Sequence, residues 1–303
     1  MLVSFGNFFG NSVVCYIILK HKHIQNTVNM LLLHLSFADI ICGISVLPYV
    51  FIKLPRTNIK GTAANLICGL TEGLTFFFAA SLVNLLTLSI LSISRYTLIN
   101  HPLKQTWRLK KRAVKWLVLL AWLISLGLLV PSGLSFTYSP QDGICWRKWA
   151  PGVHPVGYFT ATLILGMAIP FLSLTFTYVS TIYTLWFKPA TRRLARSNSR
   201  SGVQTHRKRV SVLLGLLIVA YILCWMPFGI YWLLSVALDY FPQTIEGQRK
   251  SMKIARITIL IALVNTVLDP IVYAFSNRQI KESAMKTLRG GNGSNMVEPT
   301  ATE

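Results

Sequence analysis

The stretch from Ile257 to Phe275 reads ITILIALVNTVLDPIVYAF. It is apolar enough to cross a bilayer, yet its second half contains Asp269 and Pro270. An ionisable side chain in hydrocarbon costs at least about 2.5 kcal/mol, and a proline removes a backbone donor and kinks the helix. A span that accepts both residues is expected to face other helices rather than lipid. A kinked helix with a purely structural role is the alternative.

The composition places this stretch in a membrane protein. The chain has 303 residues, of which 53% are hydrophobic and 13% charged, whereas a soluble domain carries about 25% charged residues. Low charge together with long apolar runs predicts a protein that crosses the membrane several times. Five cysteines in a chain of this length do not indicate a disulfide scaffold.

The net charge of +21 follows the orientation expected of a membrane protein. With the N-terminus outside, nine of the 30 Lys and Arg residues fall in outer loops and helix ends, and the other 21 fall on the inner side. Cytoplasmic loops carry such an excess of positive charge. Because the basic residues are divided among membrane-flanking loops, a nucleic-acid partner is not supported.

Six further apolar segments precede the quoted stretch. The seven predicted spans are residues 2–19, 28–52, 63–96, 113–134, 156–187, 210–238 and 257–275. Almost no chain precedes the first span, so either the outer N-terminus is minimal or the reading frame is truncated. The predicted bundle therefore covers residues 1–275.

The segments on the inner side are basic or amphipathic. Residues 188–209 are polar and strongly basic, which predicts a cytoplasmic loop. In residues 276–289, Ile280, Ala284 and Leu288 share one helical face among basic residues, which predicts an amphipathic helix on the inner membrane surface. Residues 290–303 are rich in small polar residues and are predicted to be disordered.

Each predicted span contains a motif that is weak alone. In chain order they are Gly10-Asn11, LSFAD at 35–39, SRY at 94–96, Trp122, Pro170 with Tyr178, CWMPF at 224–228 and DPIVY at 269–273. In this order and spacing they resemble rhodopsin-like (class A) G-protein-coupled receptors over about residues 6–289. The resemblance implies an all-α seven-transmembrane bundle in the plasma membrane, with an extracellular N-terminus, an extracellular ligand and a heterotrimeric G-protein partner.

The resemblance also assigns residues to the ligand pocket. It implies that Trp225 is the toggle beneath the ligand, and that Phe77, Arg256 and Ile259 line the pocket. Phe77 stands where amine receptors carry an Asp counter-ion, so a protonated amine lacks its usual partner. Leu263 stands where opsins carry the retinal Lys, so a retinal Schiff base has nowhere to form.

On the cytoplasmic side, the resemblance assigns residues to G-protein coupling. It implies that Arg95 of the SRY motif, with Tyr96 beside it, meets the G-protein in the active state. Tyr178 and Tyr273 would approach Arg95 through water, and Pro102-Leu103 would plug into the G-protein. The residues that stand where the family connects pocket and cytoplasm are Pro170, Leu85 and Tyr221, with Pro227 kinking the sixth span.

The chain departs from the family pattern at several positions. Ser94 replaces the acid that usually precedes Arg95, and Arg207 stands on the sixth span where the family often has Glu. Cys68 lies 27 residues before Arg95, more than is usual, which predicts an irregular start of the third span. Ile280 stands where the family's cytoplasmic helix usually has Phe.

Two acids fall deep within the predicted spans, away from the membrane surfaces. Asp39 lies mid-membrane in the second span and Asp269 in the seventh, with Asn84 and Asn265 at similar depth. Two carboxylates in one low-dielectric site cannot both stay ionised without a proton or a cation, and hard oxygen ligands suit a small hard cation. The resemblance agrees, because the family places a sodium pocket here. A proton-shared network that only holds helices together is the alternative, and no other cofactor is expected.

Two cysteines are predicted to lie outside the membrane. Oxidation persists there, so Cys68 and Cys145 are expected to form a disulfide that tethers the second outer loop to the third span and roofs the pocket. Two free thiols are the alternative.

The outer face has an excess of positive charge. Nine basic residues on this face outnumber four acidic residues, which are Glu72, Asp142, Asp239 and Glu246. Lys253 and Arg256 lie one turn apart at the mouth of the seventh span and could capture an acidic ligand group. Contact with lipid headgroups is the favoured alternative, because interfacial Lys and Arg routinely snorkel.

Other classes of protein find little support. His34, His101 and His206 are scattered without metal-ligand spacing, and no catalytic triad order or phosphate loop stands out, so we do not expect an enzyme. A small transporter or channel would show an internal repeat with paired broken helices, and the sequence shows none.

Overall fold

The computed structural model describes residues 2–51, 61–101, 103–141, 143–187, 201–237 and 245–288. Within these ranges, seven helices are long and apolar enough to cross a membrane, which confirms the predicted bundle. Predictions for Pro102, Asp142, Asp239, the loop residues 188–200 and the tail 290–303 lie outside the described residues.

The helices follow the order of the predicted spans. The first two spans are α1 (Leu2–Lys20) and α2 (Thr27–Phe51), the third comprises α3 (Thr62–Thr71) and α4 (Thr75–Asn100), and the fourth is α5 (Lys111–Leu134). The fifth comprises α6 (Pro155–Leu163), a π-helical turn (Ile164–Ala168) and α7 (Ile169–Phe187). The sixth is α8 (Ser201–Ala237), the seventh is α9 (Ile245–Ser276), and the short helix α10 (Arg278–Leu288) follows it.

The third span is broken near its outer end, as the spacing of Cys68 and Arg95 predicted. Leu74 has φ of 46°, a left-handed conformation that is uncommon outside glycine. Thr75 bridges the break, because its hydroxyl donates to the Gly69 carbonyl at 3.1 Å. The helix therefore restarts at Thr75 with α3 turned away from the axis of α4.

The loop after the fourth span folds into a hairpin that the sequence analysis did not predict. Strands β1 (Phe136–Ser139) and β2 (Ile144–Arg147) pair antiparallel, with Phe136 opposite Arg147. The predicted disulfide joins Cys145 of β2 to Cys68 of α3, with a Cα–Cα distance of 5.6 Å. The alternative of two free thiols is therefore wrong, and the hairpin is fixed to the start of the third span.

The third span forms the centre of the bundle. Most of its side chains are buried, while the fourth and fifth spans bury few of theirs. Large apolar side chains such as Trp116, Leu172 and Phe176 lie exposed on the outside of these spans. Such a surface is what a lipid-facing helix requires, since hydrocarbon rather than water surrounds it.

Two helices extend beyond the predicted spans. Helix α8 begins at Ser201 rather than at residue 210, and α9 begins at Ile245 rather than at residue 257. The prediction that residues 201–209 form a loop is therefore wrong. Gln, Arg and Lys in both extensions are good helix formers, so the helices continue past the hydrocarbon layer.

The C-terminal helix α10 is held to the inner ends of the first and second spans. Asn277 donates to Asn29 Oδ1 at 2.8 Å, and Asn29 donates to Gln279 Oε1 at 2.9 Å. His21 and the Thr287 hydroxyl lie 3.0 Å apart. Ile280, which stands where the family usually has Phe, is a buried side chain of this helix. The predicted amphipathic helix is therefore present and docked.

The glycines of the bundle provide a matched test of helix packing. A Cβ added to Gly69 would collide with the Gly133 carbonyl oxygen, whereas one added to Gly127 meets nothing within 4 Å. A backbone atom cannot rotate aside, and overpacking costs about 1–3 kcal/mol. We expect Gly69→Ala to lower the melting temperature of the purified protein and Gly127→Ala to leave it unchanged. Equal melting temperatures for the two variants would contradict this packing.

Candidate functional site

An aromatic floor lies where the ligand pocket was predicted. Phe77 and Trp225 stack with ring centroids 5.9 Å apart, and Tyr221 stacks below Trp225 at 5.7 Å. All three side chains are buried. The third and sixth spans thus meet through stacked rings, so a ligand that moves Trp225 must also move its neighbours.

Two further rings complete this floor, and the sequence analysis missed them. Phe78 contacts Phe228 with a centroid distance of 5.2 Å, and Phe228 contacts Trp225 edge-on at 5.9 Å. Phe78 adjoins Phe77 in the chain, and their ring centroids lie 5.4 Å apart, whereas Phe228 lies three residues after Trp225, so one helical turn brings these two rings together. The aromatic floor is therefore defined as Phe77, Phe78, Tyr221, Trp225 and Phe228.

The two predicted pocket residues of the seventh span have different environments. Ile259 is buried in the same apolar cluster as Phe77 and Trp225. Arg256 lies one turn further out, half-exposed, with its guanidinium 3.6 Å from the Glu72 carboxylate. This ion pair links the seventh span to the segment between α3 and α4, so Arg256 already has an acidic partner within the protein.

A second arginine lies under the hairpin and was not singled out by the sequence. The Arg147 guanidinium sits 4.7 Å from the Phe136 ring centroid and 4.9 Å from that of Phe159, as cation–π partners do. Water reaches it from the outer side, yet protein surrounds it closely enough that desolvation lowers the pKa of Arg147 to about 10. Arg147 remains charged and is placed to meet an anionic group.

The predicted acid cluster is assembled in the middle of the bundle. Asp39, Asn84, Asn265 and Asp269 are all buried. Asn84 donates its amide N–H to Asp39 Oδ1 at 2.7 Å, and the carboxyl groups of Asp39 and Asp269 interact directly. The second, third and seventh spans therefore bring Asp39, Asn84 and Asp269 together, and Asn265 is buried one helical turn before Asp269.

The free oxygens of this cluster fit a small cation. Asp39 Oδ2, Asn84 Oδ1 and Asn265 Oδ1 are buried acceptors without a hydrogen-bond donor. Buried acceptors are normally satisfied, and oxygens of carboxylate and amide groups are the ligands that hard cations prefer. The described residues contain no group of three or more His, Cys, Asp or Glu side chains that would hold another kind of metal.

The first span supplies a polar residue to this cluster that the sequence analysis missed. Asn7 is fully buried, and its amide donates to the Asp39 carbonyl at 2.9 Å and to the Thr266 hydroxyl. Asn11 donates to the Thr266 carbonyl at 2.8 Å. The signal was present, because Asn7 and Asn11 lie four residues apart in an otherwise apolar helix and so share one face.

At the cytoplasmic end, the predicted coupling residues differ in exposure. Arg95 is buried, whereas Leu103 is 94% exposed and projects from the loop. The Tyr96 ring lies edge-on to His101 at 5.6 Å, so it packs at the side of the third span. Leu103 is thus accessible at the surface, and its contact with a G-protein stays a prediction.

The two tyrosines predicted to approach Arg95 have different surroundings. The Tyr178 hydroxyl lies against Gly215, where an added Cβ would overlap it. The Tyr273 side chain is fully buried, and its hydroxyl has no hydrogen-bond partner. Because only glycine leaves room at position 215, the fifth and sixth spans meet closely there.

The residues that stand between the aromatic floor and the inner end of the bundle are buried, and one of them accepts a hydrogen bond. Leu85, Pro170 and Tyr221 are all buried, and the Ser89 hydroxyl donates to the Pro170 carbonyl at 3.1 Å. The π-helical turn directly precedes Pro170, and such turns accommodate a proline that cannot donate. The third and fifth spans are thereby locked together below the aromatic floor.

Comparison with known proteins identifies the family. The chain matches the family model for the 7 transmembrane receptor (rhodopsin family) over residues 10–273. It is 26% identical over 299 residues to the QRFP-like peptide receptor of Branchiostoma floridae, covering 95% of this chain and 76% of that protein.

Other relatives are also receptors, and the match covers about three quarters of their length. Neuropeptide Y receptor type 6 of Mus musculus is 25% identical over 292 residues, covering 91% of this chain and 76% of the receptor. Prokineticin receptor 2 of Mus musculus is 24% identical over 287 residues, covering 91% of this chain and 72% of the receptor. The three relatives share the whole bundle with this chain rather than one motif.

The fold agrees with these matches. The crystal structure of squid rhodopsin superposes with a TM-score of 0.74 at 18% sequence identity, covering 95% of this chain and 83% of that protein. Three findings indicate the same family, namely the seven spans, the disulfide between Cys68 and Cys145, and the family match over residues 10–273. The chain therefore belongs to the rhodopsin family of seven-transmembrane receptors, the class A G-protein-coupled receptors.

Proposed function

We propose that this protein is a plasma-membrane receptor for an extracellular peptide and that it promotes nucleotide exchange on a heterotrimeric G-protein. The observation that carries the proposal is the aromatic floor beneath a disulfide-tethered hairpin. A β-hairpin held at one side leaves the mouth of the bundle accessible to an extended ligand. The names of two relatives, the QRFP-like peptide receptor and neuropeptide Y receptor type 6, support the same ligand class.

The stacked rings provide a path from ligand to cytoplasm. An agonist that displaces Trp225 also displaces Tyr221, which stacks on it at 5.7 Å. Tyr221 belongs to the connector with Leu85 and Pro170, and the kink at Pro227 lets the inner end of the sixth span swing outward. The agonist acts by binding the active arrangement more tightly than the inactive one. Arg95 then becomes accessible to the G-protein.

The pocket residues disfavour two other ligand classes. Phe77 offers no charge to a protonated amine, and its ring is fully buried against Trp225. Leu263 is buried and cannot form a Schiff base with retinal. A peptide that inserts an apolar side chain onto the aromatic floor suits these surfaces better.

Sodium is the proposed allosteric ion of the buried cluster. Asp39, Asn84 and Asn265 would hold it, with Asp269 beside them. A bound cation would supply the positive charge that two neighbouring carboxylates need. The side chains of the second, third and seventh spans would then stay together in the inactive arrangement.

An exchange assay tests the proposed function. Membranes containing the receptor and added heterotrimeric G-protein would be treated with a QRFP-like peptide, neuropeptide Y and a prokineticin, and guanine-nucleotide exchange would be measured. We expect at least one peptide to raise exchange, and Arg95→Ala to abolish the rise. Stimulation by lipids or nucleotides but by no peptide would overturn the ligand class. Exchange that no ligand changes would overturn the receptor function.

The orientation is testable independently of any ligand. We propose that the N-terminus is outside and that residues 188–209 and 276–303 are inside, because most basic residues then lie in the cytoplasm. Protease added to intact cells should spare the loop 188–209, and detergent permeabilisation should permit cleavage there. Cleavage without permeabilisation would reverse the orientation and exclude the coupling residues from the G-protein.

Arg147 is proposed to bind an acidic group of the peptide. Among the described ion pairs, Arg256 has Glu72 as its partner, whereas Arg147 contacts the rings of Phe136 and Phe159. A charge-assisted hydrogen bond contributes about 1.5–3 kcal/mol, so we expect Arg147→Gln to weaken an acidic peptide agonist by about 10- to 100-fold.

Two controls separate this charge from other effects of the substitution. Lys148→Gln removes an exposed charge from the next position of the hairpin and should leave potency unchanged. A peptide with its acidic residue amidated should show the same potency on wild type and Arg147→Gln. If Arg147→Gln weakens acidic and amidated peptides equally, Arg147 shapes the hairpin and does not bind the acid.

A further inference from the structure

A cavity outside the predicted ligand pocket opens at the inner end of the bundle. Its volume is about 420 Å³, within the size range of small-molecule sites. It lies between the last turns of the third and fifth spans. Its walls include Tyr96, Asn100 and His101 from α4, and Val179, Ser180 and Tyr183 from α7.

The cavity faces lipid rather than the centre of the bundle. Val179 and Tyr183 are each 58% exposed, although both belong to a membrane span. The third span ends at Asn100 and the fifth at Phe187. With the orientation proposed above, the cavity therefore lies at the level of the inner headgroups, where lipid enters from the side.

The inner rim of the cavity combines hydrogen-bonding groups with positive charge. Tyr96, Ser180 and Tyr183 bring hydroxyl groups to its walls, and Asn100 Oδ1 is a buried acceptor without a donor. His101 passes directly into a basic loop, whose Lys104 N–H donates to the His101 carbonyl at 3.1 Å. The basic residues of this loop are Lys104, Arg108, Lys110, Lys111 and Arg112.

The outer part of the cavity continues into an apolar track. Leu172, Phe176, Val179 and Tyr183 are exposed on α7 at intervals of four, three and four residues, so they form one ridge. The Phe176 ring lies 6.3 Å from that of Tyr96, which joins the ridge to the polar end. A molecule that is polar at one end and extended and apolar at the other fits both parts.

We propose that this cavity binds a single-chain phospholipid of the inner leaflet that has an anionic phosphate head group and a free hydroxyl on its glycerol. The lipid hydroxyl donates to Asn100 Oδ1, and the phosphate accepts from the hydroxyl groups of the wall. The basic loop adds electrostatic attraction, since each Lys or Arg near an anionic membrane surface contributes about 1 kcal/mol. The acyl chain lies along the ridge of α7.

Native mass spectrometry of the detergent-purified receptor tests this site. Oleoyl lysophosphatidic acid is the probe, and oleoyl lysophosphatidylcholine has the same chain with a zwitterionic head. We expect one saturable copy of the anionic lipid to bind at least tenfold more tightly than the zwitterionic lipid. Inorganic phosphate should not displace it, because it lacks the chain. Equal affinity for both lipids, or displacement by phosphate, would overturn the proposal.

Two variants locate the binding in the cavity. Val179→Trp fills the cavity from its lipid-facing side. Val212→Trp places the same indole side chain at an exposed position of the sixth span. We expect Val179→Trp to reduce affinity for the anionic lipid at least tenfold and Val212→Trp to leave it unchanged. Wild-type affinity in Val179→Trp would overturn the site, and the exchange assay stands independently of this result.

Discussion

Replacing Asp39 with Ala is expected to abolish the effect of sodium on agonist affinity. In the wild type, raising sodium at constant ionic strength should lower the affinity of the peptide agonist found in the exchange assay. The expected coupling is about 1–3 kcal/mol, or about 5- to 150-fold in affinity. The physical reason is that the cation holds the second, third and seventh spans together in the arrangement that the agonist must disrupt.

The structure defines which oxygens carry this effect. Asp39 Oδ1 accepts from Asn84 at 2.7 Å, which leaves Asp39 Oδ2 and Asn84 Oδ1 without a donor. A hard cation is stabilised by such oxygens, whereas a proton shared by Asp39 and Asp269 needs neither of the amides. The two alternatives therefore differ in how they depend on the identity of the salt.

Competition binding in sodium, potassium and choline chloride distinguishes them. Ser45→Ala is a matched control in the same span, because the Ser45 hydroxyl donates to the carbonyl of Ile41 on its own helix. It should keep the full sodium effect that Asp39→Ala loses. If potassium and sodium act identically on the wild type, the cluster is not a sodium site, and Asp39 is structural or carries a proton.

The second large effect is expected at the inner end of the third span. Arg95 is buried and is preceded by Ser94, where the family has an acid that pairs with the arginine and holds the inactive state. Absence of the particular pair between an acid at position 94 and the arginine shifts a two-state balance by about 1–3 kcal/mol, or about 5- to 150-fold. We expect agonist-free exchange in the wild type, and we expect Ser94→Asp to lower it by a factor in this range.

The residue at position 207, which the family pattern places opposite Arg95, also favours agonist-free exchange. Arg207 would repel Arg95 where the family often has Glu, although its side chain lies in a stretch that the structure does not describe. Ser94→Ala is the control, since it changes the size of the side chain without adding charge and should leave basal exchange unchanged. Unchanged exchange in Ser94→Asp at equal surface expression would show that Ser94 only caps Arg95 by hydrogen bonding.

The sequence predicted the bundle because apolar length is a local property. Each span needs about 20 apolar residues, and such runs are visible without knowing what they pack against. The ends of the helices were less predictable, since α8 and α9 continue through polar residues. The hairpin was missed because its four-residue strands, 136–139 and 144–147, depend on each other and on the disulfide rather than on a hydrophobic pattern.

Residues of the candidate site could be predicted from the sequence where a polar side chain stands in an otherwise apolar span. Asp39 and Asp269 stand out in apolar spans, and the structure brings them together. Asn7 was missed, because its spacing from Asn11 indicates a shared helical face but does not identify the distant partners, Thr266 and Asp39. The pair of Arg256 and Glu72 joins residues far apart in sequence, and no local pattern predicts such a contact.

Because α10 is held to the first two spans, we expect it to keep its position when the receptor is activated. Asn277 and Gln279 are hydrogen-bonded to Asn29 of the second span, and Thr287 lies against His21 after the first span, so α10 is anchored to the first two spans. A spin label on exposed Met285 of α10 would therefore stay fixed during activation. Its distance to a second label on Val212 would report the displacement of the sixth span alone, so an outward swing appears as one lengthening distance.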